Sequence, residues 1–204
     1  MIRFDEVLHA QSFDQAVQDL AADFRKTHAL PEIHQLGLVV NDVEAAAEEL
    51  EAEGLGPFFI AAGAPVLWEE RGSRKAVKGR MGLAYHRGIE LELLEPLEGS
   101  DFYTQSLDPD GHMVIQHLGF LVKNVDKWAD ILSKNSETSL YVRGRLQVGP
   151  SKTDFAYMEP LPDSGLIMEF ISWRLLGVNL GPPKFIFKTA GKIEKLTGRR
   201  SVSL

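Results

Sequence analysis

Four polar side chains interrupt apolar stretches of this sequence: Gln35 in IHQLGLVV, Glu92 in IELELLEP, His117 in VIQHLGFLV and Glu169 in LIMEFI. Burying a carboxylate without a partner is costly, so two of them inside apolar strands need a counter-charge. A divalent cation supplies one, and it takes an imidazole nitrogen and an amide oxygen as further ligands. The set is rich in oxygen, with one nitrogen and no sulfur, which suits Zn²⁺, Ni²⁺, Co²⁺ or Mn²⁺. The chain contains no cysteine, which excludes thiolate metal sites, disulfides and cysteine nucleophiles.

The spacing of the four strengthens this reading. Gln35 and His117 each stand directly before Leu-Gly, and Glu92 and Glu169 each stand in the last strand of a pattern that occurs twice. The separations within the two pairs, 57 and 52 residues, are of the size of a structural repeat. Taken singly, each residue has a plainer reading. His117 could be a hydrogen-bonded core histidine. Glu92 shares a strand face with Glu90, and that face could be solvated. Gln35 alone says little, and Glu169 is the hardest to place otherwise. His34 is the more familiar ligand type, but a shift of one residue turns a side chain to the other sheet face, and His34 matches Gln116 rather than His117. It remains the alternative to Gln35. His9, His28, His86 and His112 fall in loops or near element ends, without a partner at a diagnostic spacing.

The elements that must position these residues are read as follows. Ser12 caps an amphipathic helix over 12–28, with Gln15 completing a capping box, Phe13, Val17, Leu20 and Phe24 on one face and Pro31 stopping the segment. A strand over 33–40 leads to a helix capped by Asn41 or Asp42 and closed by Gly54. A strand-like stretch broken at Gly63 and Pro65 follows. Strands over 80–86 and 89–95 are then joined at Arg87-Gly88, the last stopped by Pro96. The second half repeats the order: a strand over 114–122, a helix VDKWADILSKN opened at Asn124 and Asp126, and strands over 140–148, 153–158 and 165–172. QLGLVVNDVEAAAEEL answers HLGFLVKNVDKWADIL, and GIELELLEP answers GLIMEF, which marks duplicated units.

The predicted fold is therefore α+β. Two βαβββ modules, 32–98 and 114–173, form a cupped, barrel-like mixed sheet. An N-terminal helical extension (1–31), a linker (99–113) and a basic C-terminal extension (174–204) flank or join them. Lys188 to Leu196 reads as a short helix of that tail, which serves as a packing or dimerisation appendage or as a contact for an anionic substrate. A net charge of −7 argues against a nucleic-acid partner. No apolar run of signal-peptide length opens the sequence, and none approaches the ~18 residues of a membrane span, so a cytoplasmic protein with no membrane partner is expected.

QLGLVVNDVEAA, GPFF, GIELELLEPLEGSDFY, IQHLGFLVKNVD and GLIMEF resemble, in order, the recurring segments of the vicinal oxygen chelate superfamily, specifically its glyoxalase I and methylmalonyl-CoA epimerase branch. The resemblance covers about residues 32–172. It implies one metal ligand from the first strand and one from the last strand of each module: Gln35, Glu92, His117 and Glu169. Some glyoxalases have this set, whereas many epimerases have His where Gln35 stands and Gln where Glu92 stands. It implies a lyase or isomerase that abstracts a proton next to a carbonyl or thioester through a metal-stabilised enediolate. Glu169 would be the general base and Glu92 would return the proton. The implied substrate is a thiohemiacetal or acyl-CoA-like small molecule, and a homodimer is common among such proteins. Where epimerases carry a second carboxylate base, KAVKGRMGLAYH offers Lys and Arg. Two other readings stand beside this one. A binding protein resembling bleomycin-resistance factors would sequester a ligand without catalysis. An extradiol-type dioxygenase fits less well, because Gln35 replaces a histidine and Glu92 is an extra ligand. Arg71, Arg74, Lys75, Lys78 and Arg80 could hold phosphates or a glutathione carboxylate, or form a solvated loop and strand end.

Overall fold

The computed structural model describes residues 2–134, 138–179, 184–197 and 202–203. The chain opens with β1 (Ile2–Arg3), α1 (Phe4–Leu8), α2 (Phe13–Asp19) and α3 (Ala22–Thr27). The first half follows: β2 (Gln35–Val39), α4 (Val43–Ala52), β3 (Phe59–Gly63), β4 (Leu67–Glu70), β5 (Ser73–Arg74), β6 (Lys78–His86) and β7 (Ile89–Glu98). The second half contains β8 (Val114–Leu121), α5 (Val125–Lys134), β9 (Leu140–Val148), β10 (Ser151–Met158) and β11 (Ile167–Leu175). The tail adds β12 (Val178–Asn179), α6 (Lys184–Thr197) and β13 (Val202–Ser203).

The helices of the two halves start and pack alike. The Asp42 carboxylate accepts from the backbone N–H groups of Glu44 and Ala45, and Asn124 accepts from that of Lys127. Gly54, at a φ of +89°, closes α4 in the left-handed conformation that glycine adopts without strain. Val43, Ala46, Ala47 and Leu50 of α4, and Val125, Ala129 and Leu132 of α5, are the buried faces. They meet Leu36, Leu38, Leu91, Leu93, Leu118 and Phe120 in one core. Each such leucine contributes about 1.5–3 kcal/mol by its burial. Because side chains alternate along a strand, the residues between these leucines project from the other face of the sheet.

The sheet runs β3-β6-β7-β2-β8-β11-β10-β9, with β4 and β5 continuing beyond β9 and β13 beyond β3. β2 pairs in parallel with β7, and β8 pairs in parallel with β11. β2 and β8 meet antiparallel at the centre, so the halves are related by a local two-fold. Only residues 64–66 separate β3, near one end of the sheet, from β4, beyond the other. Three residues span at most about 14 Å, so the sheet must curl until its ends nearly meet. The result is the cupped mixed sheet expected from the repeats.

Several local expectations need correction. The segment 12–28 is two helices, not one. Leu20 leaves α2 in an extended conformation and Ala21 is left-handed (φ 50°, ψ 34°). The Arg25 guanidinium clamps the corner by donating to the Gln18 carbonyl oxygen (2.7 Å), Gln18 Oε1 (2.9 Å) and the Pro31 carbonyl oxygen (3.2 Å). These tertiary bonds override a continuous apolar period. Ser12 does cap α2 by accepting from the Gln15 N–H, but the Gln15 side chain turns to Asp19 instead of completing the box. Pro96 does not stop β7, which runs to Glu98. It lies beyond the last rung with β2 and beside a bulge against β6, where a missing N–H is tolerated.

In the tail, α6 lies against β3. Glu194 accepts from the Ile60 N–H at 2.9 Å, and Lys195 pairs with Glu51 at 2.9 Å. Asn135, expected at the end of the α5 segment, and Arg199 and Arg200 of the basic extension lie outside the described residues. Among the described residues, no helix is long and apolar enough to cross a membrane.

Candidate metal centre

Glu92, His117 and Glu169 come together on the concave face of the sheet, with one ligand atom from each lying within 4.8 Å of the others. His117 Nε2 is 3.3 Å from Glu92 Oε2 and 3.2 Å from Glu169 Oε2, yet neither contact is aligned as a hydrogen bond. His117 is fully buried, Glu169 nearly so, and the Glu92 side chain is 12% exposed. Burial by itself pushes the His117 imidazole down, but Glu169 and then Glu92 outweigh it and carry its pKa up to about 9. Burial raises the Glu169 carboxyl, against the opposing pull of His117.

Register explains the convergence. Gly37 of β2 is paired with Glu92 on one side and His117 on the other, and Gly119 of β8 is paired with Gln35 and Glu169. Each polar side chain of a central strand therefore lies over the glycine of its neighbour. A Cβ on Gly37 would sit 1.8 Å from His117 Cε1, and one on Gly119 would sit 2.5 Å from Gln35 Oε1. The two Leu-Gly motifs thus provide the space for the side chains that precede them.

The donor atoms of the two neutral residues are set by partners the sequence reading missed. Glu90 accepts from Gln35 Nε2 at 3.0 Å, which leaves the Gln35 amide oxygen without a hydrogen-bond partner. Tyr85 in turn donates to Glu90. Gln116 does the same for His117. The Phe102 carbonyl oxygen can only accept, so Gln116 Nε2 faces it, at 2.9 Å, and also donates to Ser106 at 3.2 Å. Gln116 Oε1 then meets His117 Nδ1 at 3.1 Å, so Nδ1 carries a hydrogen and Nε2 holds the lone pair of the neutral ring. A bulge makes this contact between successive residues possible: Gly37 pairs with His117 but Leu38 with Ile115, so Gln116 is an extra residue. Glu90 had a signal in its shared parity with Glu92. The bulge at Gln116 had none.

Gln35 Oε1, Glu92 Oε2, His117 Nε2 and Glu169 Oε2 are all buried without a hydrogen-bond partner. Four orphaned donors of these types fit a divalent cation. His34 lies just before β2, its ring 6.5 Å from that of Tyr85, and is not in the cluster of three. Asp108, Asp110 and His112 form a second group in an exposed turn, built by Asp108 accepting from the backbone of the other two. Beside the buried cluster, Tyr103 donates to Tyr157 at 3.0 Å, and Tyr157 is the cross-strand partner of Glu169. Burial first, and the neighbouring carboxylates next, raise both phenols well above the usual tyrosine range. The linker is thus part of the site wall.

A family model described as the Glyoxalase/Bleomycin resistance protein/Dioxygenase superfamily matches residues 34–137, just over half the chain. The chain belongs to that superfamily. Its match takes in Gln35, Glu92 and His117, and stops before Glu169. Solved structures similar to this member of the superfamily include methylmalonyl-CoA epimerase from Mycobacterium tuberculosis, at 20% identity over 68% of this chain and 85% of that one, with a TM-score of 0.44. A variant of the Streptomyces coelicolor epimerase in complex with 2-nitronate-propionyl-CoA is 21% identical over 70% and 96%, with a TM-score of 0.44. A variant of 4-hydroxymandelate synthase from Streptomyces coelicolor is 17% identical over 82% and 56%, with a TM-score of 0.49. No curated protein matches the chain in sequence.

Proposed function

We propose that the protein is a divalent-metal-dependent lyase or isomerase that moves a proton on the carbon next to a carbonyl, with Gln35, Glu92, His117 and Glu169 as the metal ligands. The observation that carries this reading is the set of four buried donors without hydrogen bonds, three of them converging on one point. A cation held there would act as a Lewis acid toward the substrate carbonyl. Glu169 takes the proton from carbon, and the electron pair moves onto the carbonyl oxygen. Glu92, on the other side of His117 and from the other half of the sheet, enters the cycle as the carboxylic acid and gives its proton to the carbon, and exchange with solvent resets both carboxyls. Two carboxylates that flank one point allow removal on one face and return on the other.

Extradiol-type oxygenation uses two histidines and one carboxylate. The described cluster has one histidine and two carboxylates, which favours proton transfer. The test pairs metal analysis with turnover of methylglyoxal–glutathione hemithioacetal and acyl-CoA epimers, and with exchange of the substrate proton into deuterated water. Glu169→Gln is expected to keep about one metal ion per chain and to lose both turnover and exchange. Unchanged exchange in that variant refutes the assignment of the base.

A further inference from the structure

The cavity over the cluster has a volume of ≈ 290 Å³. Its lining changes character along each strand. Alternate positions read Glu90, Glu92, Leu94 on β7 and Glu169, Ile171, Trp173 on β11. The remaining walls are mainly apolar, with Met81, Leu146, Val148 and Phe155, and also carry Glu95, Gln147 and Thr153.

Lys78 and Arg80 are the only lysine or arginine among the described lining residues, and both are engaged. Arg80 pairs with Glu44 and, at 3.1 Å, with Glu95, both largely shielded from solvent on the arginine side, while Lys78 meets Glu98 at 3.1 Å in a solvent-exposed and therefore weaker pair. Of the rest of the basic run, exposed Arg74 has no ion pair among the described residues, and the other two are paired. Arg71 grips Glu159 at 2.8 Å and Lys75 grips Glu70 at 2.6 Å. An anion entering this cavity would lose its hydration to mainly apolar walls, beside Glu90, Glu92, Glu95 and Glu169, with Arg80 already neutralised by two carboxylates.

We infer that the part of the substrate that enters the cavity is uncharged and apolar, with its chelating oxygens at one end and no carboxylate or phosphate. The inference rests on the proton-transfer reading of the site. It selects a neutral hydroxycarbonyl or dicarbonyl compound with an alkyl or aryl substituent, and sets any charged carrier outside the cavity.

The test uses zinc-loaded protein and two isosteric chelating probes, 4-nitrobenzohydroxamic acid and 4-carboxybenzohydroxamic acid. Binding is read by calorimetry and by tryptophan fluorescence, to which Trp68 and Trp173 of the cavity wall both contribute. The neutral nitro probe is expected to bind about tenfold tighter or more, as an unpaired desolvated charge requires. Glu44→Gln, which frees Arg80 from one partner, is expected to narrow the gap. Equal or tighter binding of the carboxylate probe overturns the inference while leaving the metal site intact. Failure of the protein to take up zinc, or probe binding that does not depend on zinc, removes the underlying reading and the inference with it.

Discussion

Replacing Gly37 by alanine tests whether the site depends on the missing side chain at that position. A Cβ there would lie 1.8 Å from His117 Cε1, 2.0 Å from Nε2 and 2.3 Å from Nδ1. The ring would have to retreat by about 1.6 Å to reach the 3.4 Å of ordinary contact. It is fully buried and tied to Gln116, so it cannot move cheaply. Overpacking of this kind costs about 1–3 kcal/mol. Ligand distances tolerate only about ±0.2 Å, so zinc affinity is expected to fall by at least about a hundredfold. Gly37 does not have a positive φ, so alanine is not strained by the backbone itself. In a His117→Ala background the clash disappears, and Gly37→Ala is expected to be neutral or stabilising by about 0.4–1 kcal/mol. The coupling between the two positions, from a denaturant double-mutant cycle, is thus about 1–4 kcal/mol. Equal destabilisation by Gly37→Ala in both backgrounds, or wild-type zinc affinity in the single variant, refutes the account of how the glycine houses the ring.

Other outcomes follow from the surroundings of the cluster. Gln116→Leu removes the acceptor that fixes the His117 ring, and calorimetry is expected to show zinc affinity reduced about 10–100-fold. In the metal-free protein the His117 pKa is raised to about 9, above the ~6.5 of an unfolded histidine. Its protonated form therefore favours folding, a contribution complete below about pH 6.5 and lost as pH rises through about 9. Zinc must displace that proton, so affinity is expected to rise with pH up to about 9 and then level off, with about one proton released per ion near neutrality. Calorimetry in buffers of different ionisation enthalpy measures the release, and a pH-independent affinity contradicts the arrangement. Ala21→Gly relieves a left-handed alanine and is expected to gain up to about 1 kcal/mol, seen as a higher denaturant midpoint at unchanged zinc affinity.

The duplicated order of strands and helices was legible because each half repeats the same caps, apolar periods and Leu-Gly motif. The choice of Gln35 over His34 as a candidate ligand rested on parity, and the antiparallel rung with Gly119 gives the register at which Gln35 stands. What escaped the sequence depends on contacts distant along the chain. The corner at Ala21 is imposed by Arg25 bonding to Gln18 and Pro31. The role of Gln116 depends on a bulge, and a bulge leaves no trace in residue types. β1 pairs with β8 across more than half the chain, and a two-residue strand has no period to read. The linker reads as a turn-rich connection, yet it supplies Tyr103 to the cavity and the Phe102 carbonyl that orients Gln116.

β4 belongs by sequence to the first half but pairs with β9 of the second. That exchange interlocks the two halves of the sheet. A fragment beginning after β7 would leave β9 with a bare edge, and the complementary fragment would carry the β4-β5 hairpin with no sheet to join. Severed pieces of this chain would have to recombine by strand donation, not by the docking of two finished surfaces. Either piece alone would be prone to pair with any unprotected strand it met.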